Sequence, residues 1–236
     1  MLKEVTAIVV ARKGSVRVPG KNQLPLAGVP MFVRKIRQLQ QCKRIDRVVF
    51  GSDSEEMLYA AKSEGAETIR RPDFFCDEKC ASANDMIWNM ASSITTDVVV
   101  WAHCTNPLIS PQTYDRAVDA FLSRYPDFDS LLSVVELKEH LWHEKSDGGG
   151  YEPLNYNPYQ ARHVPARELP PYFMQDGGIF IQPHAQMVAN RYFFGKRPQL
   201  FMISDDEFLD VNNMRDYLLA SAICDERDVL RRDNCN

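Results

Sequence analysis

The chain has 236 residues, of which 44% are hydrophobic and 25% charged, and its formal net charge is −4. This composition is typical of a soluble globular protein with a sizeable core, and it lacks the basic excess that nucleic-acid-binding proteins carry. No stretch approaches the ~20 apolar residues that span a bilayer, and no secretory cleavage site follows the first apolar run. We therefore expect a cytoplasmic protein, without a membrane or nucleic-acid partner, whose six cysteines are free thiols.

Apolar runs alternate with helical patterns along most of the chain. Buried strands are predicted at residues 5–11, 47–53, 97–104 and 129–137, and shorter ones at 177–181 and 200–204. Helices are predicted at residues 31–42, 55–64, 82–94, 111–124 and 213–224. This alternation predicts a single α/β domain over residues 1–236, with a mostly parallel, doubly wound sheet.

The alternation breaks between about residues 138 and 172, where three consecutive glycines and many Pro, Tyr and His residues occur. Such a segment is typical of an inserted arm outside the core. His140 and His143 have an HxxH spacing, and Cys76 and Cys80 a CxxxC spacing. Because two ligands do not make a structural zinc site, we expect neither pair to hold a metal.

A basic, glycine-containing loop, ARKGSVRVPGKN at residues 11–22, follows the first predicted strand. Ligands of open α/β sheets bind beyond the carboxyl ends of the strands. Gly14 lets the backbone approach an anion, and Arg12, Arg17 and Lys21 supply positive charge for a triphosphate. The loop is neither a Walker A motif nor a GxGxxG motif. By composition alone, a solvated basic turn is an equally good interpretation.

The ordered run AIVVARKGSVRVPGKN resembles the signature of the CMP-sialic acid synthetases and their relatives, which activate nonulosonic and 3-deoxy-octulosonic acids. Later segments resemble the same family in the same order, over about residues 5–217: PLAGVPM, FGSDSEEM, RRPDFFCDEKCASANDMI, HCTNPLIS, QDGGIFI and FLDVNNMRDY. The resemblance implies a nucleotide-binding sheet with a small dimerisation arm, which falls at about residues 138–172, and hence a homodimer.

The reaction that the resemblance implies is transfer of CMP from CTP to the anomeric hydroxyl of a sialic-acid-type keto-sugar acid, with Mg²⁺ as cofactor and pyrophosphate as the second product. Two alternatives stay open. One is a nucleotidyltransferase for another sugar, such as an octulosonate or a sugar phosphate. The other is a non-catalytic relative that binds sugar nucleotides.

The resemblance also implies roles for single residues. Those matched to the triphosphate and nucleotide are Arg12, Gly14, Ser15, Arg17, Lys21 and Asn22, and those matched to the cytosine and ribose are Arg71 and Ser82. Asp210 matches the first metal aspartate, and Asn212 stands where the family has a second aspartate. Arg12, Lys21 and Asp210 are therefore the expected catalytic residues.

The acceptor side departs most from the family pattern. His103 stands at the position of a sugar-contacting Gln, and Asp176, beside Gln175, replaces an Asn. His103 and Gln175 are expected to contact the sugar, and Arg167, or else Arg162, its carboxylate.

Several other side chains have two interpretations. Asp53 could be catalytic or cap the following helix, and Ser82 could be a helix cap alone. The aromatic run at residues 192–194 could pack the acyl groups of the sugar, although core or dimer packing is favoured. The acidic run at residues 205–207 is expected to be a solvated turn.

Overall fold

The computed structural model describes residues 2–14, 18–160 and 162–233, with side chains described as far as Arg227. The strands are β1 Val5–Val10, β2 Pro25–Leu26, β3 Val29–Pro30, β4 Arg47–Ser52, β5 Glu67–Arg70, β6 Val98–Ala102, β7 Ser130–Leu137, β8 Trp142–Glu144, β9 Tyr151–Pro153, β10 Tyr172–Pro183 and β11 Pro198–Met202. The helices are α1 Met31–Gln40, α2 Glu55–Ser63, α3 Ala83–Ser92, α4 Pro111–Arg124, α5 His184–Asn190 and α6 Met214–Asp233. Short 3₁₀ helices occur at Lys21–Gln23, Asp73–Cys76 and Ala166–Glu168.

Seven strands form one central sheet in the order β11-β7-β10-β6-β1-β4-β5. β1 pairs in parallel with both β4 and β6, β4 with β5, and β7 with β11, whereas β10 runs antiparallel to β6 and β7. The predicted α/β class with a mostly parallel sheet is therefore confirmed.

Apolar side chains cover both faces of the sheet. On one face, α1, α2 and α4 pack through residues such as Ile36, Ala61 and Phe121. On the other face, α3 and α5 pack through Met90 and Met187. Because β1 and β6 are buried on both sides, their sequences are continuous apolar runs rather than alternating ones.

The predicted strands and helices are present, with several differences in length. β10 is twelve residues long, whereas only five were predicted. The prediction was too short because the first four residues of the strand, YFMQ, are mostly exposed and interrupt the apolar pattern. α6 continues to Asp233, beyond the predicted end at Cys224. The elements that the sequence did not predict are short or half-exposed: β2, β3, β5, β8, β9 and α5.

The arm leaves the sheet between two paired positions. Leu137, the last residue of β7, lies opposite Tyr172, the first residue of β10. Between them, β8 and β9 form a separate two-stranded sheet, with Trp142 paired to Pro153. In the described part of the chain, no helix is long and apolar enough to cross a membrane.

Candidate active site

A cavity of about 580 Å³ lies at the edge of the sheet where β1, β5 and β6 end. Among the side chains that line it, Arg12, Lys21 and Arg71 are cationic, and only Glu78 is anionic. The other lining residues are Val10, Ala11, Asn22, Phe75, Cys76, Ala81, Ser82, Ala83, Met86, His103, Cys104 and Thr105. The excess of cations over carboxylates favours a polyanionic ligand.

Arg12 and Lys21 come from the loop that follows β1. The Arg12 guanidinium donates to Cys76 O at 3.1 Å and pairs with the Glu78 carboxylate at 2.5 Å. Lys21 Nζ donates to Val211 O at 2.9 Å, which connects this loop to the segment that carries Asp210. Of the three cations predicted to bind the triphosphate, Arg12 and Lys21 line the cavity, and Arg17 lies outside the described residues.

Asn22 connects the end of this loop both to its beginning and to the loop that follows β6. Asn22 is buried, where its Nδ2 donates to Arg12 O at 3.3 Å and its Oδ1 accepts from Cys104 Sγ at 3.2 Å. A Cβ at Gly14 would meet no atom within 4 Å, so the backbone there is open to a ligand, although Gly14 does not line the cavity. Ser15 and Arg17 lie outside the described residues.

Asp53, which directly follows β4, stabilises the loop after β1 and does not cap a helix. Its Oδ1 accepts from Lys13 N at 2.7 Å. The N-cap of α2 is Ser54, whose side chain accepts from Met57 N at 3.3 Å. The prediction that Asp53 caps α2 is wrong, because the next residue takes that position.

Arg71 and Ser82 line the part of the cavity that lies beyond β5. Arg71 is 2% exposed, and its Nη2 donates to Phe75 O at 2.6 Å. Its buried Nε has no hydrogen-bond partner in the part of the chain that the structure describes. Burial lowers the pKa of this guanidinium. Ser82 caps α3 in a capping box with Asp85, so its predicted capping role is confirmed at a residue that also lines the cavity.

His103 follows β6, and both of its ring nitrogens have protein partners. Nδ1 lies 2.6 Å from Gly177 O, and Nε2 accepts from Trp101 Nε1 at 3.2 Å. These partners fix a neutral ring protonated on Nδ1, and burial lowers its pKa. Phe193 packs edge-on against the ring, with centroids 5.5 Å apart. This arrangement makes His103 part of a wall and leaves no ring nitrogen to bind a sugar, which differs from the hydrogen bond that we expected.

The other predicted acceptor residues do not line the cavity. Gln175 is exposed on β10, and Asp176 beside it is buried and accepts from Gly178 N at 3.1 Å. Burial raises the pKa of Asp176, and the negative charge of Asp210 acts in the same direction. Arg162 and Arg167 are largely exposed and face Glu168, at 2.9 Å and 3.9 Å. Within one chain, these arginines lie apart from the cavity walls.

Asp210 and Asn212 contact each other. Asn212 Nδ2 donates to Asp210 Oδ2 at 2.6 Å. Asp210 Oδ1 is a buried atom that has no hydrogen-bond partner among the described residues. The segment between them is fixed to the sheet edge, because Val211 N donates to Thr105 O at 2.8 Å. A buried carboxylate oxygen without a donor is the kind of group that a hard cation binds.

The two short spacings that resemble metal motifs have other contacts. His140 stacks on His163 with ring centroids 5.2 Å apart, while His143 faces Glu152 at 3.4 Å. Cys76 is buried and Cys80 is exposed. The five cysteines in the described residues are free thiols, as predicted, and Cys235 lies outside those residues.

Two residues that matter to the cavity were not predicted from the sequence. Glu78 pairs with Arg12 across the opening, and Glu207, predicted to be solvated, is 8% exposed. The Glu207 carboxylate accepts from Ser110 N at 2.8 Å and from the Thr113 hydroxyl at 2.7 Å. The prediction of a solvated turn is therefore wrong at residue 207, because α4 presents donors to it that the local sequence does not indicate.

Comparisons with known proteins show which sequences and folds the chain is similar to. The chain is 35% identical over 140 residues to a 3-deoxy-manno-octulosonate cytidylyltransferase of Chlorobium chlorochromatii, covering 59% of this chain and 54% of that protein. It is 31% identical over 160 residues to an N-acylneuraminate cytidylyltransferase of Oncorhynchus mykiss, covering 66% and 36%. It is 25% identical over 225 residues to the CMP-N,N'-diacetyllegionaminic acid synthase of Legionella pneumophila, covering 93% and 95%.

The chain thus spans 54% or less of the length of the first two of these relatives. Among solved structures, it resembles a CMP:2-keto-3-deoxy-manno-octonic acid synthetase complexed with CTP, with a TM-score of 0.68, 15% identity and coverage of 95% and 99%. This likeness supports the fold. The sequence model of the cytidylyltransferase family matches residues 6–193, well over half of the chain, and the chain therefore belongs to that family.

Proposed function

We propose that this protein transfers CMP from CTP to the anomeric hydroxyl of a sialic-acid-type keto-sugar acid and releases pyrophosphate. The observation that carries the proposal is the cavity at the strand ends, with Arg12, Lys21 and Arg71 in its walls. The chain's membership of the cytidylyltransferase family supports a cytidine nucleotide as the ligand.

In the proposed reaction, the hydroxyl oxygen of the sugar forms a bond to the α-phosphorus of CTP. The bond from that phosphorus to the bridging oxygen breaks, pyrophosphate leaves, and the hydroxyl proton passes to solvent. Arg12 would exchange Glu78 for phosphate oxygens, and Lys21 would neutralise the charge that develops on the leaving group. Catalysis of this kind depends on positioning and charge stabilisation.

We propose Mg²⁺ as the cofactor, and the residues present fit it. Asp210 offers a buried carboxylate oxygen without a hydrogen-bond partner. Among the described residues, no group of three or more His, Cys, Asp or Glu side chains could hold a metal, so triphosphate and water oxygens would complete the coordination. Bound there, Mg²⁺ would supply charge neutralisation at the phosphates. Asn212, whose Nδ2 donates to Asp210 Oδ2, would take part only if its amide turned its oxygen toward the ion.

For the acceptor, we propose a site beside His103 and Phe193, where an uncharged imidazole and aromatic rings form the wall. The octulosonates are the second candidate acceptors, because a relative of this chain at 35% identity is named for one.

We further propose a homodimer formed through the arm, in a cytoplasmic protein. The support is a set of large apolar side chains exposed on the arm and on the adjacent end of β10: Trp142, Tyr151, Leu154, Tyr159, Phe173 and Met174. Sedimentation at micromolar concentration tests the dimer, and a monomer with full activity would contradict it.

Pyrophosphate release, measured with each of the four nucleotides and a panel of sugar acids, tests the activity. We expect turnover with CTP and a nonulosonate, dependent on Mg²⁺. Turnover with an octulosonate alone would select the second candidate. Binding of CTP without turnover on any acceptor would support a non-catalytic relative and contradict the proposal.

A further inference from the structure

A lysine occupies a core position on α1. Lys35 is fully buried, at 0% exposure, as are Met31 and Leu39, which lie one turn away on either side on the same face of the helix. Lysine is almost never fully buried without a specific partner. Its contacts therefore indicate what the buried amine does.

The Lys35 amine joins three parts of the fold. Nζ donates to Asn106 O at 2.9 Å, in the loop between β6 and α4, and to the Tyr114 hydroxyl at 2.8 Å, on α4. The Tyr114 hydroxyl lies 3.5 Å from Gly178 O on β10, and Asn106 Nδ2 donates to Asp176 O at 3.0 Å. One buried amine thus connects the loop after β6 with residues 176–178 of β10, where the pairing with β7 shifts register.

These two segments carry the acceptor side of the site. The loop after β6 holds His103, whose Nδ1 bonds Gly177 O, and Thr105, whose carbonyl accepts from Val211 N beside Asp210. In the described residues, the hydrogen bonds of Lys35 do not involve Arg12, Arg71 or Ser82, on the nucleotide side. The network therefore contacts the acceptor side directly, and it reaches the nucleotide side indirectly, through Cys104 Sγ, which donates to Asn22 Oδ1 at 3.2 Å.

We propose that Lys35 is a positioning residue for the acceptor: its amine holds residues 103–106 and 176–178 in the arrangement that receives the sugar, and its own hydrogen bonds to described residues go to Asn106 and Tyr114 rather than to the nucleotide side. This inference rests on the proposed function. An apolar residue at position 35 would fill the space but would leave the Asn106 carbonyl and the Tyr114 hydroxyl without their donor. An unsatisfied buried acceptor is relieved by movement of its segment, which here is the acceptor loop.

Titration gives the inference an additional signature. Burial is the largest influence and lowers the pKa of Lys35 to about 7. Cys104, Cys42 and Glu207 act to raise this pKa, and Arg34 acts to lower it. Tyr114, the remaining ionisable group in contact, has its own pKa raised by burial and stays neutral. An ammonium donates stronger hydrogen bonds than an amine, so the acceptor loop is held best below pH 7.

Steady-state kinetics of Lys35→Met and Tyr114→Phe test the inference, with Lys62→Met on an exposed helix position as the matched control. We expect KM for the sugar acid to rise by about tenfold or more in Lys35→Met, which is the effect of losing one charge-assisted hydrogen bond. The rise in Tyr114→Phe should be smaller. The Kd of CTP alone, from calorimetry, stays within about twofold. We also expect the acceptor KM of the wild type to rise from about pH 6.5 to about pH 8, and we expect this rise to be absent in Lys35→Met.

Three results would overturn this assignment. Equal losses in CTP and acceptor affinity, or a lower active fraction with unchanged KM values, would make Lys35 a purely structural residue. If Lys35→Met did not fold, an unchanged acceptor KM in Tyr114→Phe would have the same meaning. Wild-type protein without turnover on any sugar acid would refute the proposed function itself, whereas normal turnover with unaffected variants would refute this inference alone.

Discussion

Burial of Lys35 makes the stability of the protein depend on pH in a direction that can be worked out. The pKa of this group falls from 10.5 in an exposed lysine to about 7 in the folded chain. Between these values the unfolded chain binds a proton that the folded chain does not, so the free energy of unfolding rises with pH across that window. Below pH 7 both states are protonated, and the full cost of burying the charge remains.

The size of the effect follows from the same two values. At 1.36 kcal/mol for each pH unit, the whole window corresponds to about 5 kcal/mol, and the interval from pH 7 to pH 8.5 to about 2 kcal/mol. Burial raises the pKa of Cys104 to about 11 and of Cys42 to about 12, so above pH 9 these thiols act in the opposite direction. Because burial lowers the pKa of His103, protonation of this residue changes the free energy of unfolding only at lower pH.

The perturbation is Lys35→Met, and the assay is urea unfolding followed by tryptophan fluorescence at intervals between pH 7 and 8.5. We expect the wild type to gain about 2 kcal/mol over this range and the variant to lack that gain. A constant offset between the two proteins is also expected, because two buried acceptors lose a donor. Parallel pH curves for wild type and Lys35→Met would refute the reasoning, whatever the offset, and Lys62→Met should follow the wild type.

Four further substitutions test the nucleotide side of the site. Lys21→Ala should lose turnover while its circular dichroism spectrum is unchanged, since its amine lines the cavity, and unaltered turnover would remove Lys21 from the triphosphate site. Asp210→Asn should abolish turnover at every Mg²⁺ concentration, whereas Asn212→Asp should keep it and lower the Mg²⁺ concentration required; wild-type activity in Asp210→Asn would contradict the metal proposal. Glu78→Gln should tighten CTP binding in calorimetry by up to about fivefold, because an exposed ion pair that holds Arg12 is worth at most ~1 kcal/mol, and weaker binding would show that Glu78 assists the nucleotide.

The parts of the fold that the sequence predicted are those in which local pattern and tertiary position agree. α4 begins at Pro111 and ends at Arg124 as predicted, because Ser110 caps it and its inward residues recur at helical spacing. β1 and β6 were predicted because strands buried on both faces are unbroken apolar runs.

The direction and length of β10 could not be obtained in this way. Its pairing partners lie 35 to 50 residues earlier in the chain on β7 and 77 to 85 residues earlier on β6, and only this pairing makes the strand antiparallel. β5 has the sequence ETIR, with two exposed ends and no apolar run, and it forms because β4 offers a free edge. These are properties of the sheet rather than of the segment.

The same distinction separates the two sides of the site. The cations at Arg12 and Lys21 could be predicted because a basic loop directly after a buried strand must lie at the edge of the sheet where ligands bind. The occupied nitrogens of His103 could not, since one partner, Gly177, lies on the strand whose course was not predicted. Asp210 depends in the same way on Thr105, through the neighbouring Val211.

Lys35 is the clearest case of a residue that local sequence misplaces. Position 35 lies on the apolar face of α1, between Met31 and Leu39, but the long side chain of a lysine there ordinarily carries its amine out to solvent. It is buried because Asn106 and Tyr114, more than 70 residues away, provide two acceptors at the depth that its side chain reaches. A buried amine is costly without such partners, so both acceptors must be in place before the lysine can be accommodated. The acceptor loop and Lys35 therefore specify each other, and a change in either should be felt at both.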